Sequence, residues 1–318
     1  MKKKIMLACL FTGMMLAGCG NNVKETTVDA KQDTAYTFTD DLGREVTIGQ
    51  PERVAALLGS YADMWYLAGG EVVASADDAW DDFDLPMAED AINLGMTKDL
   101  NLEKLFEADP DLVLASTNTK QNLEWQETLE SAGITTAYFN VSDFDDYLRV
   151  LKIFTDITGR DDLYEKNGAA IQEQMQAVVE ESKEHISESG KAPKVLVIRA
   201  SATMILAKNS KNNVMGEMVH ALGCENIADS DDSLLENLSL EHIIVEDPEH
   251  IFICQFGDDA DAVKAHMEEF IQENPAWSNL TAVKEENVHY MDKSLYTLKP
   301  NDRWAEAYAG AEELLFHK

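Results

Sequence analysis

Two glutamates, Glu103 and Glu241, stand in matching surroundings 138 positions apart: NLEKLFEADPDLVLAS from Asn101 and SLEHIIVEDPEHIFICQ from Ser239. Leu102/Leu240, Asp109/Asp247 and Pro110/Pro248 hold the same register. Carboxylates repeated in this way can engage the cations of a two-fold partner, because equivalent surfaces present equivalent charge. The local alternative is that each glutamate lies in the first turn of a helix, where the dipole favours it by about 0.3 to 1 kcal/mol. Other residues with chemical potential fall at or just after the ends of apolar runs: Tyr61, Trp80, Arg199, Tyr296 and Arg303, with Ser60, Asn118, Met204, Gln255, Phe256 and Trp304 near them. Aromatic faces and a few cations suit a planar macrocycle or a catechol-like chelate, held by stacking and charge. Tyr61 and Trp80 have core packing as their alternative, and Arg199 has many carboxylates with which to pair. Trp65 reads as core, and His242 and His289 as structural.

Catalytic signatures are missing. The chain has no GxSxG elbow, no HExxH pair and no GxxxxGK phosphate loop, so it reads as a binding protein rather than an enzyme. An exported α/β hydrolase is the alternative of another class. No CxxC or His-rich tract points to a zinc site, and no intrinsic cofactor or resident metal is expected. Cys224 and Cys254 read as buried free thiols, with a disulfide as the alternative.

The elements that position these residues follow from the hydrophobic pattern. YTFTDDLGREVTI, residues 36–48, alternates around a turn and predicts a hairpin. From Arg53, apolar runs (VAALL, VVASA, LVLAS, TTAYF) alternate with helical stretches, the pattern of a parallel sheet covered on both faces. Such a sheet gathers its strand C-termini along one edge, where ligands of open α/β sheets bind. After Gly190 the order is echoed: VLVIRA, a hairpin to MILAK, a helix from Met215 to Leu222, the repeated unit, a helix from Asp259 to Glu273, VHYM and a last helix near Asp302 to Phe316. Between the halves, Asp143 to Ser189 is nearly all helix-forming, broken at Thr158-Gly159-Arg160-Asp161. A helix from Asp161 to His185 spans about 37 Å, enough to cross a domain. The fold class is therefore α/β: two similar lobes with mainly parallel sheets, bridged by one long helix, with a ligand cleft between them. At 318 residues and 45% apolar content, two domains are well supplied with core.

A net charge of −33 argues against nucleic acid and anionic lipid surfaces as partners of the body of the protein. The N-terminus adds an address: Lys2 to Lys4, an apolar stretch from Ile5 to Leu16, and small residues before Cys19. Leu16-Ala17-Gly18-Cys19 resembles the lipobox of bacterial lipoproteins. That resemblance implies a signal peptide over residues 1–18, a lipidated Cys19, and a flexible tether over 19–35. Multiple acyl chains give stable anchoring at about 0.8 kcal/mol per buried methylene, so the expected location is the extracytoplasmic face of the cell membrane, held through lipid only.

Lipobox, PERVAALLGSYADMWYLAGG, the paired Leu-Glu helices before Asp-Pro strands and the long linking helix together resemble the substrate-binding proteins of ABC importers for ferric siderophores, haem and cobalamin. The resemblance runs from about Tyr36 to the end. It implies an N-terminal lobe over 36–142, bridging helices over 143–189 and a C-terminal lobe over 190–318. It also implies a monomer that takes a small metal chelate, a ferric siderophore ahead of cobalamin or haem, to a permease dimer with its ATPase subunits. In that family a glutamate on each lobe docks on permease arginines, and Glu103 and Glu241 match those positions. The loop after VHYM supplies cleft residues, which favours Tyr296. The acidic run DDAWDDFDLPMAED, residues 77–90, reads as a solvated loop. If it faced the cleft, it would disfavour a strongly anionic ligand.

Overall fold

The computed structural model describes residues 35–317, apart from 231–234, 236–238 and 258. The signal segment and Cys19 lie outside the described residues. The chain opens with an antiparallel hairpin of β1 (Tyr36–Thr39) and β2 (Glu45–Ile48). Its turn is fixed by Gly43 at φ 76° and by the Asp40 carboxylate, which accepts from Leu42 N and Arg44 N at 3.0 Å each.

Two five-stranded sheets follow. The first contains β3 (Val54–Ala56), β4 (Val72–Ser75), β5 (Ile92–Asn93), β6 (Leu112–Ser116) and β7 (Thr135–Phe139), all parallel in the order β5-β4-β3-β6-β7. The second contains β8 (Lys194–Ala200), β9 (Ile205–Lys208), β10 (Glu225–Asn226), β11 (His250–Gln255) and β12 (Val288–Met291), in the order β10-β8-β11-β12. All five side chains of β6 and the first five of β11 are buried, which is why LVLAS and HIFIC carry no alternation. The echo between halves is incomplete. After β3 the chain crosses over through the helix Gly59–Leu67 to a parallel strand, whereas after β8 it turns straight back as the antiparallel β9. β9 and β10 then share one edge of β8, β10 at Lys194–Val195 and β9 at Val197–Ala200.

The link between the sheets is longer than the sequence pattern marks. The helix Phe144–Thr158, capped by Asp143, stops at Gly159 in the left-handed conformation. Asp161–Tyr164, a π-helical turn at Glu165–Ala169 and Ala170–Ser189 then run on without a break, about 43 Å at 1.5 Å per residue. This helix touches both halves. Asn167 donates to Leu67 O at 2.7 Å on one side, and Ser182 donates to Leu222 O at 2.6 Å on the other. Its outer stretch packs against the last helix, Trp304–Phe316.

Burial resolves into an outer core in each half and one shared middle core. The middle core joins Ala56 and Phe139 to Val197 and Phe252, with Phe144 edge-on to Trp304 at 6.1 Å. Cys224 and Cys254 are both buried and free, and burial pushes each thiol up to about 12. Trp65 is core, edge-on to Phe154. Among the described residues no helix is long and apolar enough to cross a membrane.

Candidate functional site

The strands of both sheets end facing one cleft. From the first half, the loops after β6 and β7 bring Asn118, Val141 and Ser142. From the second, the pleat decides which side chains arrive. Val197 and Arg199 are two apart on β8 and so share a face; Lys208 is the register partner of Val197, and Cys254 that of Arg199. The segment after β12 adds Tyr296, Thr297 and Lys299. Asp292 starts that segment by accepting from Ser294 N at 2.8 Å, and Asn301 fixes its far end by donating to Ser60 O at 3.0 Å and to Asp63 at 2.7 Å in the first half. The inner cavity is about 300 Å³ and partly open to solvent.

Charge is the informative property of this cavity. Arg199, Lys208 and Lys299 line it, and among the described residues no carboxylate does. None of the three makes an ion pair among the described residues, in a chain with 59 acidic and 26 basic residues. Burial lowers the pKa of each: Arg199 by loss of water, Lys208 by the same cause with Arg199 repelling it, and Lys299 down to about 8. Asp78 opposes the fall at Lys299, whose ammonium also lies 5.3 Å from the centre of the Tyr61 ring. Arg199 lies over the Phe256 ring at 3.7 Å, and its Nε is buried without a partner. Partly buried cations without an ion pair are costly, and an anion in the cavity would offset that cost.

An outer cavity of about 310 Å³ adjoins the inner one, sharing Arg199 and Thr297. Its wall takes Asp77, Asp78, Asp81 and Asp82 from the acidic run, against the expectation of a loop turned to solvent. The cause is a close backbone approach: Gly59 lies where a Cβ would sit 2.6 Å from Ala79 N, and its own N–H donates to Asp78 at 2.8 Å. The acidic wall is partly offset. Lys293 bridges the halves to both oxygens of Asp82 at 2.8 Å, and burial pushes Asp78 up to about 6. Lys98 lies 4.2 Å from the centre of the Phe256 ring, so one aromatic ring meets cations from both halves.

Of the residues singled out from sequence, Arg199 and Tyr296 come together in the inner wall. Tyr296 gives its hydroxyl to Ala307 O at 3.1 Å. Tyr61 is fully buried beneath the site, donating to Phe139 O at 2.8 Å, and Trp80 packs half-buried on the middle core. Arg303 faces solvent and pairs with Glu306 at 2.7 Å. None of these three lines either cavity. Glu103 and Glu241 are both exposed, each second in a helix, Leu102–Glu107 or Leu240–Glu246, whose cap is Asn101 or Ser239. Lys208 and Lys299 were missed. The first was readable from the hairpin register; the second had no local signal.

The pattern of the family described as periplasmic binding protein matches residues 54–295. The chain is 27% identical to the uncharacterized ABC transporter substrate-binding lipoprotein YvrC of Bacillus subtilis strain 168, over 99% of this chain and 96% of that protein. It is 24% identical to the Fe(3+)-citrate-binding protein YfmC of the same organism, over 92% of this chain and 89% of that one. The solved structure of S. aureus IsdE complexed with heme shares the fold at a TM-score of 0.69, with 17% identity over 84% of this chain and 99% of that one.

Proposed function

The chain belongs to the periplasmic binding protein family, and from that premise we propose that it is the lipid-anchored substrate-binding protein of an ABC importer that captures an anionic ferric chelate. The single observation carrying the ligand class is the convergence of Arg199, Lys208 and Lys299 on an inner cavity with no carboxylate among the described residues of its wall; the chelate's anionic oxygens belong there, while the aspartates of the outer cavity count against a strongly anionic remainder. A chelate presenting carboxylate or catecholate oxygens satisfies those donors, and a charge-assisted hydrogen bond contributes about 1.5 to 3 kcal/mol. Asn118, Ser142, Asn213 and Thr297 supply neutral donors and acceptors for the rest of its rim. The Fe(3+)-citrate-binding name of one relative points the same way.

Haem and corrinoid remain the alternatives by fold. Against haem, no histidine among the described residues lines either cavity, the Tyr296 hydroxyl is engaged with Ala307 O, and burial keeps the Cys254 thiol protonated; Met96 in the outer wall is a remaining soft donor. The two halves, residues 36–142 and 190–318, hold the chelate between them, with 143–189 as the stiff link. Glu103 and Glu241 dock on a permease dimer driven by its ATPase subunits, the protein acting as a monomer without catalysis. Cys19 carries the lipid.

The test is mass spectrometry of the protein purified from its native host in iron-poor medium. A co-purifying anionic ferric chelate supports the reading; a co-purifying corrinoid or haem overturns the ligand class.

A further inference from the structure

Away from both cavities, where the long bridging helix lies against the last helix, four side chains converge: Glu181, His185, Glu312 and His317. One ligand atom from each lies within 4.8 Å of all the others. Glu181 and His185 are four apart on one helix and so share a face. Glu312 comes from the facing helix, and His317 from the point where that helix gives way to extended chain. His185 Nε2 stands 3.4 Å from one Glu312 oxygen, and His317 Nε2 stands 3.4 Å from the other. Phe316 stacks on the His185 ring at 5.0 Å and 15°, which holds the imidazole in place.

The centre of this group lacks something. Glu312 is 5% exposed, yet its Oε1 and the adjacent His185 Nε2 are buried without a hydrogen-bond partner. No lysine or arginine pairs with Glu312 among the described residues. The two atoms face each other at 3.4 Å without making a hydrogen bond, a costly arrangement for buried polar groups that a cation between them would relieve. Bonds of about 2.0 to 2.2 Å in a tetrahedral centre place neighbouring donors about 3.3 to 3.6 Å apart; each histidine nitrogen already stands 3.4 Å from its own Glu312 oxygen, and the set, all within 4.8 Å, closes on an ion by small side-chain rotations. Two imidazole nitrogens with two carboxylates suit a borderline ion and not the all-oxygen preference of calcium or magnesium.

We propose that Glu181, His185, Glu312 and His317 form a divalent transition-metal site, with zinc as the fitting ion, that clasps the last helix to the bridging helix. The site is separate from the chelate cleft and stands whether or not that cleft binds ferric ligands.

The test uses the protein without an affinity tag, stripped with a chelator and titrated with zinc chloride against a competing indicator. One equivalent binds, zinc raises the thermal midpoint, and cobalt(II) in its place gives the intense visible bands of a tetrahedral centre. His185→Ala and His317→Ala each weaken binding at least tenfold and remove those bands. His317 and Glu181 are exposed, so His317→Ala and Glu181→Gln report on binding in a folded protein. Asp81→Asn with Asp82→Asn, in the acidic wall of the cleft, leaves the zinc isotherm unchanged. Less than one equivalent bound, binding indifferent to His317→Ala, or binding lost in the aspartate variant instead, overturns the proposal and leaves Glu312 as the acceptor of two ordinary histidine ion pairs.

Discussion

Asp109 and Asp247 hold the same left-handed backbone conformation, at φ 45° and 46°, each directly before the proline that leads into an interior strand, β6 or β11. The internal repeat is therefore a repeat of backbone geometry as well as of letters. The two side chains differ in what they do. Asp247 accepts from Thr281 N at 2.8 Å and Thr281 Oγ1 at 2.7 Å, whereas no hydrogen bond to the Asp109 carboxylate occurs among the described residues. Glycine relieves the left-handed strain at either place, by up to about 1 kcal/mol. Asp109→Gly should leave stability unchanged or raise it by up to about 1 kcal/mol. Asp247→Gly should lower it by about 1 kcal/mol, because two hydrogen bonds are lost. Urea unfolding midpoints compare the two, and the signs are the check.

On the proposed reading, Lys299 costs stability in the free protein and contributes to binding. Its ammonium is desolvated with only Asp78 near to compensate. Lys299→Met should stabilise the ligand-free protein at neutral pH by roughly 1 to 3 kcal/mol and weaken an anionic chelate by about tenfold or more. Calorimetry of the free protein and a fluorescence titration of the same variant test both halves of the statement.

The same lysine sets a pH dependence. Its folded pKa lies near 8, below the ordinary 10.5, so between those values the unfolded chain binds more protons and this group's contribution to stability rises with pH. Affinity for an anionic chelate runs the other way, falling as pH rises through about 8 and the ammonium loses its proton. With a ligand fully ionised throughout, wild-type affinity should decline from pH 7 to 9, and Lys299→Met should flatten that profile.

Glu103 and Glu241 head helices that lead into β6 and β11, strands whose far ends face the cleft. Reversing both charges, Glu103→Arg with Glu241→Arg, should abolish uptake of the chelate by cells while leaving its affinity for the purified protein within twofold. Unaltered uptake would remove the docking role. Each single reversal should cost uptake less than the pair.

What was legible in the sequence is what local pattern encodes. Apolar runs gave the long strands, and the Leu-Glu and Asp-Pro register gave the repeat. β5 and β10, two residues each, are too short for any period to show, and the π-helical turn at Glu165–Ala169 preserves helical spacing on either side and so leaves no mark. Arg199 and Tyr296 could be placed because both stand at or near strand ends, where the parallel architecture collects its ligand contacts. Lys299 could not, since its depth depends on Asn301 reaching back to Ser60 across 241 positions. Tyr61 and Trp80 are aromatic residues whose apolar bodies the core claimed first. The acidic run misled because the close packing at Gly59 turns its first half into the cleft. Glu181 and His185 have metal-ligand spacing on their own helix, but Glu312 and His317 join them only through the packing of two helices.

The central claim is that three unpaired cations select an anionic ligand, and a competitive binding series tests it most directly. Tryptophan fluorescence of the wild-type protein and of Arg199→Ala/Lys208→Ala/Lys299→Met would be followed against ferric citrate, a ferric catecholate, haem and a cobamide. The account predicts that at least one anionic ferric chelate binds the wild type far more tightly than the cobamide, and that the triple variant loses that binding by a hundredfold or more. Tight cobamide or haem binding with no ferric chelate bound, or chelate affinity unchanged in the triple variant, would contradict it.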